Sequence, residues 1–509
     1  MVESGRTAYV KRNIIFASLQ VVVSQLLPFI VRTILIYRFG VVYLGLNSLF
    51  GSIISVLSLM ESGFGTAVVY SMYKPVADGD VSLICAYLLY YRKVYRIIGL
   101  IIFAVGLMIL PFLRYLIHDS VLPDGLNLYA CYLIFLSDAV ISYLLYGYMA
   151  AIPIAHQRRD ILNCVDMMMV GAKCILQTIV LLASHNFYFY FICIPVITIF
   201  RNLVVANTVK RTYPEIKCIG DVGTKRKSDL NRRVKGLLIN KLTMASRNSI
   251  DCLCISAFIG LAITGIYNNY YYVITAMLSL SGGICNSMIA SVGNSIADES
   301  CEKNYKDLRL FDFIYMGISG WATACMLCLY QPFICTWLGE KMMLNTSIVI
   351  GLSIYFYILK SGDIRWIYHE GNGLWYESRF IMIGEAAVNI VLNVLLCRLW
   401  GVFGIILATI ISVFFTNMIL CPELIFRLYF KNNELCEYWK DHVCYTLTMV
   451  VTAALSYIAC ELFLPGRGVG VLAGRFLICS IISIVVFNIC WRKSGRYIVA
   501  KRWLKRMIK

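Results

Sequence analysis

The chain has 509 residues, of which 60% are hydrophobic and 15% are charged, and it carries a net charge of +18. A soluble globular protein is nearer half apolar and a quarter charged, so this composition excludes an ordinary soluble enzyme. Because apolar runs of about 20 residues recur from end to end, the sequence predicts an all-α polytopic membrane protein with about fourteen transmembrane helices.

Six apolar segments come first along the chain. They are predicted at residues 14–37, 43–73, 95–116, 126–150, 161–183 and 187–209. The first follows Lys11 and Arg12 but has no small-residue cleavage site, so we expect a retained span rather than a signal peptide. The run 43–73 is longer than a bilayer requires, which indicates a tilted helix. A basic stretch at 210–235 follows and is predicted to be a cytoplasmic loop.

Eight further spans complete the prediction. They are placed at 236–258, 262–295, 311–336, 344–367, 378–398, 401–424, 442–463 and 469–490. With the N-terminus inside, and with charges near the ends of spans counted in the adjoining segment, 35 of the 46 Lys and Arg residues are cytoplasmic and five are outside. This bias predicts that both termini are cytoplasmic, and it explains the positive charge without a nucleic-acid partner. The basic tail after Trp491 either lies on anionic lipid or only fixes the topology.

The chain also repeats itself at an offset of 220 residues. The matching residues in the first copy are Gly40, Gly45, Ile54, Gly63, Ser71, Ala77 and Asp78, and those in the second are Gly260, Gly265, Ile274, Gly283, Ser291, Ala297 and Asp298. The repeat predicts two pseudo-symmetric six-helix bundles, at 1–209 and 236–426. Residues 427–509 would add two extra helices and a cytoplasmic tail. Parallel repeats are a transporter architecture, with substrate bound between the halves.

Ionisable side chains inside a bilayer cost free energy unless they face a cavity or a partner, so each one is a candidate for function. Two predicted spans carry polar residues at helical spacing on one face. Those on the first span are Gln20, Ser24, Pro28 and Arg32, and those on the seventh are Asn240, Thr243, Arg247 and Asp251. Because Arg247 and Asp251 are four residues apart, they can form a structural ion pair, line a cavity, or both.

Other spans carry single charges. These residues are Glu61, Asp138, Asp166, Lys173, Arg201 and Glu385, with Lys360, Asp363 and Arg365 near the predicted inner end of the tenth span. We expect Asp363 and Arg365 to be solvated at the interface. Cations on spans one, five and seven favour an anionic substrate such as a phosphate or pyrophosphate. The acidic residues could instead neutralise these cations in pairs.

No metal site, cofactor or catalytic residue is predicted. The 20 cysteines are scattered through apolar runs, so the pairs Cys252-x-Cys254 and Cys325-x-x-Cys328 are expected to be buried apolar residues. The chain has no Gly-rich phosphate loop, so we do not expect it to hydrolyse ATP. An ion gradient could supply the energy instead, and the sequence does not identify the ion. The five histidines are expected to be ordinary interfacial residues: His118, His156, His185, His369 and His442.

Two pairs of motifs resemble the Wzx-type polysaccharide flippases of the multidrug/oligosaccharidyl-lipid/polysaccharide (MOP) exporter superfamily. The first pair is YLGLNSLF at 43–50 and LSLMESGFG at 57–65. The second pair is DCLCISAFIG at 251–260 and GIYNNYY at 265–271, which Tyr272 follows. The resemblance implies two six-helix bundles with two extra helices and alternating access. It also implies export of undecaprenyl-pyrophosphate-linked repeat units for capsule, exopolysaccharide or O-antigen. The cationic central cavity of the family would correspond here to Arg32, Lys173 and Arg247.

The sequence therefore predicts a flippase of a bacterial plasma membrane, with seven cavity residues: Gln20, Arg32, Glu61, Lys173, Asn240, Arg247 and Asp251. Its partners would be the lipid-linked oligosaccharide, membrane lipid, a polysaccharide polymerase and glycosyltransferases. One alternative is another exporter of the superfamily, either a lipid II flippase or a drug/cation antiporter. Another is a membrane polymerase or acyltransferase. A polymerase would favour a large outer loop and an acyltransferase a buried histidine beside an acid, and the sequence shows neither.

Overall fold

The structure is a computed structural model that describes residues 2–118, 122–123, 125–184, 186–430 and 434–508. Side chains in some helical stretches, including 235–248, lie outside the described part. Regular structure among the described residues is helical throughout. This is the expected outcome for a bilayer chain, because a helix satisfies its own backbone hydrogen bonds where no water can.

The chain divides into two compact units, Met1–Asn268 and Asn269–Lys509, with the boundary inside one helix. The helices of the first unit are α1 (Val2–Phe39), α2 (Val41–Leu57), α3 (Leu59–Asp78), α4 (Val81–Ile109), α5 (Leu128–Leu144), α6 (Ala151–Ala155), α7 (Arg159–Ala183), α8 (Phe187–Thr212), α9 (Thr224–Phe258) and the first turns of α10 (Leu261–Asp298). In this unit α1 packs on α7, α5 packs on α8, and α9 packs on both α2 and α3.

The second unit is built around one long helix. After the rest of α10, its helices are α11 (Cys301–Leu338), α12 (Thr346–Lys360), α13 (Asp363–Gly371), α14 (Arg379–Phe414), α15 (Cys421–Ile425), α16 (Leu435–Phe463), α17 (Val469–Trp491) and α18 (Gly495–Ile508). Helix α11 contacts α12, α13, α16, α17 and α18. Most of its side chains facing these neighbours are apolar or small, which allows the helices to approach closely.

Nine helices in the described part are long and apolar enough to cross a membrane, or ten if the bent pair Leu128–Leu144 and Gly147–Ala155 is one span. The all-α polytopic class is thereby confirmed, whereas the count of fourteen stays a prediction. One of the nine, Arg379–Phe430, contains a break at Gly401, where φ is +57°. This break coincides with the predicted boundary between the spans 378–398 and 401–424.

The structure differs from the predicted spans at four places. The run 43–73 is two helices, because the helical pattern is interrupted at Ser58. The run 126–150 bends by 57° after α5. The span 344–367 is interrupted by a short turn between α12 and α13, although Thr346–Gly371 still qualifies as one candidate span. The stretch 210–235 contains the end of α8 and the start of α9, so only residues 213–223 form the connection. The basic tail is helical as α18 and packs on α11.

Two glycines of the 220-residue repeat begin equivalent helices. Gly40 precedes α2 with φ +96°, and Gly260 precedes α10 with φ +129°. A side chain is poorly tolerated at such positive φ values, and glycine adopts them without a steric penalty. Both positions therefore require glycine for the same conformational reason.

Two further glycines of the repeat permit a close helix crossing within the first unit. A Cβ atom on Gly45 would collide with the Leu261 carbonyl group, and one on Gly265 would collide with the Val41 carbonyl oxygen. Position 41 is related to position 261, and position 45 to position 265, by the same offset of 220. Adding or subtracting 220 therefore converts one contact into the other, which is what a two-fold relation between α2 and α10 requires. Superposition of the whole halves 1–209 and 236–426 stays a prediction.

Candidate functional site

A polar cavity of about 340 Å³ lies among α1, α5, α7 and α8 in the first unit. Its polar lining residues are Gln20, Asp138, Asp166, Lys173, Thr198 and Arg201. Apolar residues of α7 and α8 complete the wall. We call this cavity the polar chamber. Two of the seven predicted residues, Gln20 and Lys173, thus lie together, on helices that pack against each other.

The polar chamber holds two cations and two carboxylates. Arg201 donates from Nε to Asp166 Oδ1 at 2.8 Å, and both side chains are partly exposed. Lys173 lies within electrostatic range of Asp138. The formal charges therefore balance, so the chamber as described is not a purely cationic pocket. It can bind an anion at Lys173 and Arg201 only if their carboxylate partners are displaced or protonated.

Asp138 contributes a buried carboxylate oxygen to the polar chamber. Thr198 forms a hydrogen bond with its carboxylate. Its Oδ1 atom is buried and has no hydrogen-bond partner among the residues that the structure describes. A buried polar atom without a partner costs about 1–3 kcal/mol. This oxygen is therefore positioned to accept a proton, a cation or a donor group of a bound molecule.

Arg32 occupies a separate position on α1. It contacts Asn268 of α10 through Nη2 and Oδ1, and Tyr190 and Cys252 lie within its electrostatic range. Twelve residues separate it from Gln20, which corresponds to about 18 Å along a helix. Arg32 is not part of the polar chamber wall. The structure therefore does not bring Arg32 and Lys173 into one described cavity.

Asp251 belongs to the surroundings of Arg32. It is buried, and its Oδ2 accepts a hydrogen bond from Tyr267 at 3.5 Å. It immediately precedes Cys252, whose thiol lies within hydrogen-bonding reach of Asn268. The side chains of Asn240 and Arg247 lie outside the described part of the chain. The predicted pairing of Arg247 with Asp251 therefore stays a prediction.

Glu61 lies at a third position, beside aromatic residues of α4. Its Oε1 accepts a hydrogen bond from Tyr95 at 2.8 Å. The ring of Tyr95 packs edge-on against those of Tyr91 and Tyr143, with centroids 4.5 and 5.2 Å apart. This environment holds the carboxylate in a fixed orientation. The five predicted residues whose side chains are described thus lie at three places: Gln20 and Lys173 in the polar chamber, Arg32 and Asp251 near α10, and Glu61 beside α4.

The expectation that Asp363 and Arg365 are simply solvated is wrong. Lys360 Nζ lies 2.6 Å from Asp363 Oδ2, and Lys360 itself is only 5% exposed. Arg365 is 2% exposed and donates to the Tyr438 hydroxyl at 2.9 Å. The residues fall at the junction of α12 and α13, where Lys360 and Arg365 are buried and Asp363 is partly exposed but paired.

A buried histidine beside an acid is also present, contrary to the expectation from sequence. His442 of α16 is 2% exposed, and its Nε2 lies 2.8 Å from Asp312 Oδ2 of α11. The partners are 130 residues apart in sequence, so no local motif reveals them. Next to them, Asp441 pairs with Arg309 and Arg496. These contacts join α16, α11 and α18.

His185, another of the five histidines, lies outside the described residues.

Sequence reasoning marked Asp138, Asp166 and Arg201 as charges within spans but did not assign them to a site. The spacing of Asp166 and Lys173, seven residues apart on one helix face, was the available signal. Thr198 was missed, because a threonine in an apolar span is common and carries no charge to attract notice.

An apolar groove of about 680 Å³ lies among α11, α17 and α18 in the second unit. We call it the lipid-sized groove. Its apolar walls include Ile314, Ile484 and Phe487. Lys501 and Lys505, four residues apart on one face of α18, line it as well. The groove therefore combines an apolar surface with two cations.

No protein-family model matches the chain, and no curated protein sequence does. Solved structures match its fold. The lipid II flippase MurJ, in an inward closed conformation, matches with a TM-score of 0.69 and 14% identity over 94% of this chain and 99% of that chain. An inward-facing multidrug resistance MATE family transporter of the MOP superfamily matches with a TM-score of 0.60 and 12% identity, over 81% and 96%. A mutant of the Vibrio cholerae MATE transporter VcmN matches with a TM-score of 0.60 and 14% identity, over 84% and 99%.

Proposed function

We propose that this chain, which has the transporter fold of the MOP superfamily rather than the fold of an enzyme family, is a flippase for lipid-linked oligosaccharides. The substrate would be an undecaprenyl-pyrophosphate-linked repeat unit for capsule, exopolysaccharide or O-antigen. The protein would lie in a bacterial plasma membrane with both termini cytoplasmic. The mechanism would be alternating access, by rocking of residues 1–209 against 236–426.

The lipid-sized groove is the observation that carries this proposal. A polyprenyl chain needs a continuous apolar surface, and its pyrophosphate needs a cation at one end of that surface. The groove offers both, through Phe487 and its apolar neighbours and through Lys501 and Lys505. A water-soluble drug does not require such a surface. The MurJ structure, whose printed name is that of a lipid flippase, also matches more of this chain than the multidrug transporters do.

The cationic residues supply the second support. Lys173 and Arg201 line the polar chamber, and Arg32 lies farther along α1. A charge-assisted contact to a phosphate oxygen contributes about 1.5–3 kcal/mol. The head group would displace the carboxylates from Lys173 and Arg201 as it binds. Arg247 remains a proposed member of this set.

The polar chamber also favours a second candidate, an ion-coupled exporter of small cations. The Asp138 Oδ1 atom, which lacks a partner in the described part of the chain, can take up a proton or a metal cation. Asp166 and Gln20 would add oxygen ligands. In the flippase proposal the same carboxylates couple transport to an ion gradient, whereas in the alternative they bind the cargo itself.

Charge reversal in the lipid-sized groove tests the proposal in cells. Replacing Lys501 and Lys505 together by glutamate should lower surface polysaccharide roughly tenfold or more, since each interfacial lysine contributes about 1 kcal/mol toward an anionic head group. The lipid-linked repeat unit should accumulate on the inner leaflet, because its synthesis continues. Immunoblotting of the polysaccharide and extraction of the lipid intermediate measure the two effects.

The matched control is Lys493→Glu, which changes an exposed lysine that does not line the groove. It should export normally. If the double variant and the control give the same amount of surface polysaccharide at equal protein abundance, the groove does not bind the substrate. If the intermediate instead reaches the outer face without being polymerised, the chain acts after translocation and the flippase proposal fails.

A further inference from the structure

Four cysteine side chains meet in the interior of the second unit. Cys325 and Cys328 come from α11, Cys460 comes from α16, and Cys479 comes from α17. Each is 6% exposed or less. The i, i+3 spacing places the first two on one face of α11, and the hairpin of α16 and α17 brings the other two against that face. We call this group the thiol cluster.

The distances within the thiol cluster suit a metal ion. The Sγ atoms of Cys460 and Cys479 are 3.9 Å apart, and those of Cys328, Cys460 and Cys479 all lie within 4.8 Å of one another. A Zn–S bond is about 2.3 Å long, so two sulfurs of a tetrahedral site are about 3.8 Å apart. The Cys325 thiol lies within hydrogen-bonding reach of Cys479 but outside this group of three, so a rotation of its side chain would be needed to bring it in as the fourth ligand.

One buried cation lies beside the thiol cluster. Arg475 is 4% exposed, and its Nη1 donates to the Cys328 carbonyl oxygen at 3.3 Å. The same nitrogen pairs with Glu461, which is half exposed. A metal ion held by thiolates leaves a net negative site, whose burial is costly without a nearby cation. Trp321, Leu329 and Ile478 are partly buried and pack against the cluster.

We propose that Cys325, Cys328, Cys460 and Cys479 bind one thiophilic metal ion, Zn²⁺ or Cu⁺. Thiolate ligands select these ions over hard cations such as Mg²⁺ or Ca²⁺. Because four sulfurs leave no open position, the site is structural rather than catalytic. It ties the hairpin of α16 and α17 to α11, on which the lipid-sized groove also depends. Among the described residues, Cys328, Cys460 and Cys479 are the one group of three or more potential ligands at metal-binding distances.

Metal content of the purified full-length protein tests this proposal. The ion must enter during folding, since the thiols are closed off. The chain is therefore expressed in medium supplemented with Zn²⁺ or, separately, with copper, and purified in detergent. Inductively coupled plasma mass spectrometry should find about one ion per chain, and the two media identify which ion is preferred. Growth with Co²⁺ should give the thiolate charge-transfer bands and visible ligand-field bands of a tetrahedral site.

Serine variants assign the ligands. Cys328→Ser and Cys479→Ser should each lose the ion, whereas Cys436→Ser and Cys490→Ser, at exposed positions, should retain it. The metal content of the wild-type protein tests the proposal even if a variant does not fold. Protein without a stoichiometric metal ion in either medium would overturn the proposal. So would a disulfide between Cys460 and Cys479, found by mass spectrometry of the unreduced protein, because those sulfurs would then not be ligands.

Discussion

Replacing Gly45 by alanine is expected to prevent most of the protein from folding. The added Cβ would collide with the Leu261 carbonyl oxygen and would lie 2.8 Å from the carbonyl carbon. These are backbone atoms at the start of α10, so no side-chain rotation relieves the clash. Overpacking a well-packed site costs about 1–3 kcal/mol, and more where the backbone must move. Yield and thermal midpoint of the monodisperse protein in detergent measure the loss.

Gly51→Ala is the matched control on the same helix. Nothing lies within 4 Å of its Cβ position, and the residue is exposed. Alanine has a higher helix propensity than glycine by about 1 kcal/mol, so this variant should be as stable as the wild type or more stable. Equal yields of the Gly45 and Gly51 variants would show that α2 and α10 do not cross as closely as described.

Gly265→Ala should resemble Gly45→Ala, because its Cβ would collide with the Val41 carbonyl oxygen in the equivalent contact. A similar loss at both positions is what a two-fold relation between the copies requires. A loss at only one of them would indicate that the 220-residue offset is a coincidence of composition.

The second large effect is expected at Lys173. Its replacement by alanine removes a cation from the polar chamber and leaves Asp138 and Asp166 with Arg201 alone. A charge-assisted contact of about 1.5–3 kcal/mol corresponds to roughly a 10- to 150-fold loss of export. Export is measured as surface polysaccharide per unit of membrane protein. Lys173→Arg keeps the charge and should recover part of the activity.

Arg159→Ala controls for loss of a charge on the same helix, since Arg159 is exposed at the start of α7. It should export normally. If Lys173→Ala also exports normally while remaining abundant, the chamber does not bind the substrate's anionic group. Lys173→Ala that is absent from the membrane, with Lys173→Arg present and fully active, would instead assign Lys173 to folding.

Much of the fold was predictable because the bilayer constrains each segment by itself. A long apolar run must form a helix whatever its neighbours are, and α7, α8, α16 and α17 match their predicted spans closely. The 220-residue offset also paired Gly40 with Gly260 and Gly45 with Gly265, and these glycines occupy equivalent positions at α2 and α10. Breaks such as the one at Ser58 were not predictable, because its flanking residues are as helix-compatible as the rest.

The grouping of side chains was harder, because it depends on which helices become neighbours. Asp138 and Arg201 were noted as charges within spans, but nothing local places α5 beside α8. The thiol cluster shows the same limit. Cys325 and Cys328 form a visible pair, but Cys460 and Cys479 are more than 130 positions away, and a lone pair of cysteines in an apolar span indicates only packing.

Transport by the purified chain in sealed vesicles is the most direct test of the central claim. Vesicles carrying a fluorescent undecaprenyl-pyrophosphate oligosaccharide are treated with an impermeant quencher, which reaches only the outer leaflet. With the wild-type chain and an imposed ion gradient, the protected fraction should change with time, and with Lys173→Ala it should stay constant. If the wild-type chain moves no lipid-linked sugar but exchanges small organic cations for protons or Na⁺, the chain is a cation exporter and the flippase account is wrong.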